Sequence, residues 1–389
     1  MLVAAGLLFA CTTFAQPSKP RSYAERFALS EIHRFPEAWM IDFCSAPFFG
    51  YSQGVGCCAM LEIWKTTGDE DYFRYVEKLA DTLVNEQGEI HRYERKTYNL
   101  DFINSGKYLF DCYAVTGKEK YRKAIETLYG QILRQPRTHE GNFWHKAIYP
   151  NQVWLDGLYM AQVFYARYTT EMEGGKNYDD IRRQFRTVRE KMFDPATGLY
   201  RHGYDASKTA FWAGEDGCSL NPWLRSLGWF SAALIDVTTE VKDDPEFIAE
   251  MTGIAKELAQ NLLPYIDEES GMLWQVPNQV GREGNYPETS GSSMVAYFYL
   301  KGARLGILDA SYAEVGAKIF QAICDRYLTE TVGKLNLGGI CLVAGLGPEN
   351  NRRRDGTYEY YISEPIVEND AKGLAPFLMC YTELLQAKK

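Results

Sequence analysis

Several kinds of chemistry are missing from this chain of 389 residues before any fold is considered. There is no G-x-S-x-G elbow, no G-x-x-x-x-G-K-[ST] phosphate loop, no H-E-x-x-H and no calcium-loop pattern, which argues against serine-esterase, nucleotide and zinc-protease chemistry. Histidine is scarce, with five residues, and the nine cysteines never fall in C-x-x-C spacing, so neither a zinc cluster nor a dense disulfide framework is indicated and no metal or other cofactor is expected. Basic residues do not accumulate beyond Arg352 to Arg354 and the formal net charge is −9, which argues against nucleic acid or an anionic membrane surface as partner. No apolar run has the length that a bilayer-spanning helix needs.

What is present begins with "MLVAAGLLFACTTFAQPSKP", uncharged up to Lys19 and with small residues around Ala15. It reads as a secretory signal over residues 1–15 rather than a spanning helix. Leu8 to Cys11 also matches a lipoprotein cleavage box, which would anchor the mature protein through Cys11 and place it in the periplasm or at the outer membrane of a bacterium. Residues 22–389 are left as a single domain. Aromatic residues make up 14% of the chain, with 27 Tyr and 8 Trp, a supply suited to stacking on the flat faces of sugars or bases.

Helical periodicity runs through most of this domain. Tyr72, Val76, Leu79, Ala80 and Leu83 share one face while Arg74, Glu77, Lys78 and Asp81 share the other, the pattern of a surface helix. Comparable openings recur at Tyr23, Tyr121, Tyr178, Phe247 and Tyr312, at intervals of roughly 50 to 70 residues that signal a repeated unit. Between them lie six segments of another kind, near Tyr51, Asp101, Asp156, Arg225, Ser290 and Asp370, each opening with polar residues and glycine and then apolar on nearly all sides. A helix that is apolar all round is buried all round. Six buried helices alternating with six amphipathic ones predict an all-α fold, an (α/α)6 barrel in which an inner ring is wrapped by an outer one. The inner helices then run in one direction, and their polar N-terminal openings share one rim, where free N–H groups favour an anionic ligand.

The third opening, "NFWHKAIYPNQVWLDGLYM", concentrates His145, Lys146, Tyr149, Trp154 and Asp156. The second supplies Asp101, which at a helix start is either a cap or a site carboxylate. Two carboxylates on neighbouring inner helices would repel, so that one could retain a proton and serve as a general acid, while the dipole at a helix start opposes this. The segment 200–230 adds His202, Trp212, Trp223, Arg225 and Trp229, with Arg225 able to grip a carboxylate and the tryptophans able to stack on sugars. Glu288 and Asp370 complete the rim, and capping is the default role for an acidic residue so placed.

Together "YNLDFINSGK", "HKAIYPNQVWLDGLYMA", "RHGYD", "WLRSLGWF", "ETSGSSM" and "NDAKG" resemble glycoside hydrolase family 105, the unsaturated rhamnogalacturonyl hydrolases, related to the unsaturated glucuronyl hydrolases of family 88. The resemblance covers nearly everything after about residue 25 and implies the same (α/α)6 barrel. It also implies the reaction: removal of a 4,5-unsaturated uronic acid from the non-reducing end of a lyase-generated oligosaccharide by hydration of its vinyl ether double bond. By that resemblance Asp156 is the acid and then the base, Asp101 tunes and orients it, His145, Lys146, His202 and Arg225 bind the substrate's oxygens and carboxylate, and Tyr51 matches an active-site tyrosine. Trp154, Trp223, Trp229 and Glu288 join them as expected substrate contacts by their place on the rim. Leu224 departs from the family, which commonly has a small residue before the arginine. An ordinary inverting glycosidase or sugar epimerase on the same fold, and a non-catalytic glycan-binding protein, are the competing readings.

Overall fold

A computed structural model of the chain describes residues 22–387. The signal reading of residues 1–15 and the lipid-anchor reading of Cys11 lie outside the described residues.

Outer helices Tyr23–Arg34, Glu70–Leu83, Glu119–Ile132, Tyr178–Met192, Pro245–Leu262 and Tyr312–Tyr327 alternate with inner ones. The inner ring consists of Tyr51–Thr67, the broken pair Leu100–Ser105 and Lys107–Thr116, the run from Leu155 to Glu173, Leu224–Glu240, Thr289–Arg304 and Ala371–Gln386. This is the expected all-α alternation. The last inner helix packs between Thr289–Arg304 and the first inner helix, Tyr51–Thr67, and so closes the ring. Among the described residues, strand is confined to four short two-stranded ribbons in the loops.

Burial follows the pattern in the sequence. Outer helix Glu70–Leu83 buries only the stripe containing Tyr72, Val76, Leu79 and Leu83, whereas Leu224–Glu240 is buried along nearly its whole surface. Local signals set the ends: Asp69 caps Glu70–Leu83 by accepting from the Asp71 amide, and left-handed Gly68, Gly117 and Gly174 stop three inner helices. Inner helix and next outer helix are thus joined by a tight turn at one end, and long loops collect at the other. Among the described residues no helix is long and apolar enough to cross a membrane, and the eight described cysteines are free thiols.

Candidate active site

The second residue of each inner helix stands at an equivalent place on the rim. In order these are Ser52, Asp101, Asp156, Arg225, Ser290 and Lys372. The first residue of four of them docks its amide on a carbonyl in the loop ahead: Leu100 on His145 at 3.1 Å, Leu155 on His202 at 3.1 Å, Leu224 on Gln275 at 3.1 Å and Thr289 on Gly339 at 2.9 Å. His145 and His202 therefore occupy the same position in successive repeats, one facing Asp101 and the other Asp156.

Asp101 is free for this role because Asn99 takes the cap, accepting from the Asp101 amide at 3.0 Å. Its carboxylate is held by Lys146 Nζ at 2.5 Å, and His145 Nε2 lies 3.5 Å away. Asp101 raises the Lys146 pKa above its ordinary value against the opposing effect of burial. Burial, helped by the Lys146 charge and opposed by Asp101, holds His145 down to about 4, so its imidazole is neutral at neutral pH.

Asp156 has a different environment. The strand Gln152–Trp154 pairs with Gly203–Asp205, which brings His202 alongside the helix start. His202 is fully buried, and its Nε2 lies 3.3 Å from Asp156 Oδ2, too oblique to hydrogen-bond, so both atoms are buried without a partner. The other ring nitrogen, Nδ1, is 2.8 Å from the Tyr361 hydroxyl, which orients the imidazole. Burial works to raise the Asp156 pKa, but the nearby His202 and the field of His145 outweigh it and hold the carboxyl below its ordinary value. After Gly157 the helix takes a π turn, Leu158–Gln162. A Cβ at Gly157 would meet His145 Nδ1 at 3.2 Å and Leu100 at 3.3 Å, so a side chain there would press the imidazole away from the rim.

Across the ring stand two buried cations, Arg225 and Lys372. Arg225 is 1% exposed, and its guanidinium donates to the carbonyls of Cys341 at 2.5 Å and Leu342 at 3.4 Å and to Ser290 Oγ at 3.3 Å. No carboxylate among the described residues forms an ion pair with it. Lys372 Nζ sits between Asp370 at 2.8 Å and Asp42 at 3.0 Å. Burial, with repulsion from Asp42, raises Asp370, while Lys372 draws Asp42 down against burial. Half-buried Tyr51 lies within the fields of Lys372, Arg225, Asp101 and Asp42, which places its ring centrally; burial is the main reason its hydroxyl pKa is raised.

The structure thus gathers Asp101, Asp156, Tyr51, His145, Lys146, His202 and Arg225 at one rim. It corrects other expectations. Glu288 is 0% exposed and caps its helix, accepting from Ser290 N at 3.0 Å, Gly291 N at 2.7 Å and Cys341 N at 3.0 Å, so its oxygens are committed to backbone rather than substrate. Trp229 is buried a turn deeper against Tyr159, with ring centres 4.6 Å apart, and belongs to the core. The faces of Trp154 are covered by His145 and Tyr149, at 4.5 and 4.6 Å. Trp223 is covered by Arg225, His202 and Tyr361. These tryptophans brace the charged groups instead of offering open platforms. Leu224 is fully buried, and a Cβ on Gly291 would meet it at 2.4 Å, so the larger residue is housed by a glycine opposite and packs into the ring.

Lys372, Asp42 and Tyr361 were missed from sequence. Lys372 carried a signal, its second position in the sixth inner helix, equivalent to Asp101 and Asp156. Asp42 reaches the site from the short helical segment Ala38–Phe43 and Tyr361 from the short helix Tyr358–Ile362, both outside the two rings, and nothing local marks them.

Residues 23–388 match the model of Glycosyl Hydrolase Family 88. The chain belongs to that family. This family 88 hydrolase is 40% identical to a solved family 105 glycoside hydrolase of C. acetobutylicum ATCC 824, with a TM-score of 0.89 over 94% of this chain and 100% of the other, which puts it with the family 105 unsaturated glycosyl hydrolases. It is 38% identical over 216 residues to the protein Atu3128 of Agrobacterium fabrum, covering 53% of this chain and 90% of the relative. The unsaturated rhamnogalacturonyl hydrolase YesR of Bacillus subtilis is 26% identical over 278 residues, 70% of this chain and 74% of the relative. An unsaturated glucuronyl hydrolase of Bacillus sp. GL1, at 14% identity and a TM-score of 0.66, shares the fold. As a member of this group the family 88 hydrolase is a glycoside hydrolase that acts on oligosaccharides.

Proposed function

We propose that the enzyme removes a 4,5-unsaturated galacturonic acid linked to rhamnose, by adding water across the C4=C5 bond. The observation that carries this reading is the pairing, on one rim, of an unpartnered buried oxygen on Asp156 with a buried Arg225 whose hydrogen bonds among the described residues all go to carbonyl and hydroxyl oxygens. A guanidinium that contacts only neutral oxygens can still grip an anion, and a uronate carboxylate would supply one. The two acids differ in the same direction: Asp101 is committed to Lys146, while Asp156 Oδ2 is free to exchange a proton.

In this reading Asp156 gives a proton to C4, positive charge develops at C5 and the ring oxygen, and water adds at C5. The deprotonated Asp156 draws a proton from that water, and the hemiketal opens to release the next sugar. Free Asp156 is biased toward the ionised state. Substrate reverses the bias, because its carboxylate brings negative charge and its rings expel water, and both favour a neutral acid. Neutral His145 faces Asp101, and Tyr361-braced His202 faces Asp156.

The galacturonyl–rhamnose choice rests on the similarity to YesR. Loss of ultraviolet absorbance from a panel of unsaturated disaccharides tests it. Decay with unsaturated galacturonyl-rhamnose and not with glucuronyl analogues supports the reading. Turnover only of glucuronyl analogues replaces the substrate, and turnover only of saturated glycosides would sink the double-bond mechanism in favour of an ordinary glycosidase.

A further inference from the structure

We infer that a cleft beside the active site binds neutral sugar residues on the leaving-group side of the substrate, so that the enzyme favours oligosaccharides longer than a disaccharide. This rests on the proposed reaction. The cleft has a volume of about 500 Å³, within the range of ligand sites, and is bounded by loops at 148–152, 205–211 and 347–350.

One short ribbon carries both places. Its pairs are Gln152 with Asp205, Val153 with Tyr204 and Trp154 with Gly203. At the Trp154–Gly203 end the strands run into Asp156 and His202, and at the Gln152–Asp205 end they line the cleft. Alternate strand residues share a face. Gln152 and Trp154 do so, since the Trp154 indole N–H donates to Gln152 Oε1 at 3.2 Å, and that indole stacks on His145. The cleft therefore continues the catalytic face, about 10 Å along the ribbon by the rise of a strand, a span that a few linked sugars cover.

The lining matches neutral sugar. Ile148, 61% exposed, and the half-buried ring of Phe211 supply apolar surface, while Asn151, Gln152, Thr209 and Asn350 supply hydrogen bonds. Arg352 lies over Phe211, 5.0 Å from its centre, and steadies the ring. Among the described residues no lysine or arginine lines the cleft. Both acids that do are occupied: Asp205 accepts from the amides of Ser207, Thr209 and Ala210, and Glu349 pairs with Arg352 at 2.6 Å. A further uronate or sulfated sugar would find no unpaired cation there to balance its charge, whereas rhamnose or a neutral hexose needs none.

The test compares kcat/KM for an unsaturated disaccharide and for the tri- and tetrasaccharides that extend it with neutral sugars, in the wild type, Phe211→Ala and Asn350→Asp, with thermal melts confirming that both variants fold. The expected result is at least a tenfold advantage for the longer substrates in the wild type, lost in both variants, with disaccharide turnover unchanged within about twofold. Equal rates for short and long substrates, an advantage that survives both substitutions, or an equal fall for all lengths would each overturn the inference. Absence of turnover of every unsaturated substrate by the wild type would instead overturn the proposed reaction.

Discussion

His202 Nε2 lies 3.3 Å from Asp156 Oδ2, and the opposite nitrogen of the same ring lies 2.8 Å from the Tyr361 hydroxyl. A residue of the short helix Tyr358–Ile362, far along the chain, thereby orients the group that biases the charge of the proposed acid. Asp101, by contrast, receives Lys146 at 2.5 Å from a neighbouring loop. Two carboxylates that look alike in sequence are thus given different surroundings by what faces them.

Asp156→Asn should lower kcat by about 10²–10⁴-fold, the contribution of a positioned proton donor. Because Oδ2 has no hydrogen-bond partner to lose, the melting temperature should stay within about 2 °C of the wild type. Absorbance decay and a thermal melt on the same preparation check this, and full activity in the variant would remove Asp156 from the mechanism.

The pH profile should respond to His202. A depressed acid contributes stability and charge above its ordinary pKa and loses both as pH falls through the folded value, so wild-type Asp156 stays ionised until the solution is strongly acidic. Replacing His202 with Gln removes the main opposing influence and leaves burial, which raises the pKa. The limb of kcat/KM that reports protonated Asp156 should therefore move to higher pH in His202→Gln; a limb that stays in place or moves lower contradicts the assignment.

Tyr361→Phe keeps the ring and removes the hydroxyl that holds His202 Nδ1. We expect kcat to fall about tenfold with KM changed less than threefold, since the loss is orientation of the acid rather than binding. A change confined to KM would instead make Tyr361 a substrate contact.

Glu288→Ala should act on stability. It strips three backbone amides of their acceptor in a fully buried place, at a cost of about 2–4 kcal/mol. Denaturant unfolding reads the loss; a stable variant with a raised KM would return Glu288 to the substrate.

Asp370→Asn should become more stable relative to the wild type as pH rises. Asp370 is raised above its ordinary value by burial and by Asp42, so the folded wild type resists losing that proton. Its stability consequently falls as pH climbs from the ordinary carboxylate pKa through the raised one, a fall the amide variant lacks. Melting temperatures of both proteins between pH 4 and 8 decide it, and parallel curves would refute the raised acid.

Much of this was legible in one dimension. The alternation of all-round apolar helices with striped ones determined the (α/α)6 barrel, because a helix apolar on every side has nowhere to go but the inner ring. Polar openings followed by such helices also determined that Asp101, Asp156 and Arg225 would meet at one rim, since parallel inner helices put their starts at the same end. The tertiary structure decided how each group is used. It placed Asn99 as the cap that frees Asp101, sent Glu288 to backbone amides, and turned tryptophans that promised sugar platforms into braces behind His145 and Arg225. Lys372 meets Asp42 across 330 positions, and His202 meets Tyr361 across 159. Contacts at that separation leave no periodicity in the sequence, because they depend on how the loops fold over the rim and not on the spacing of residues within a helix.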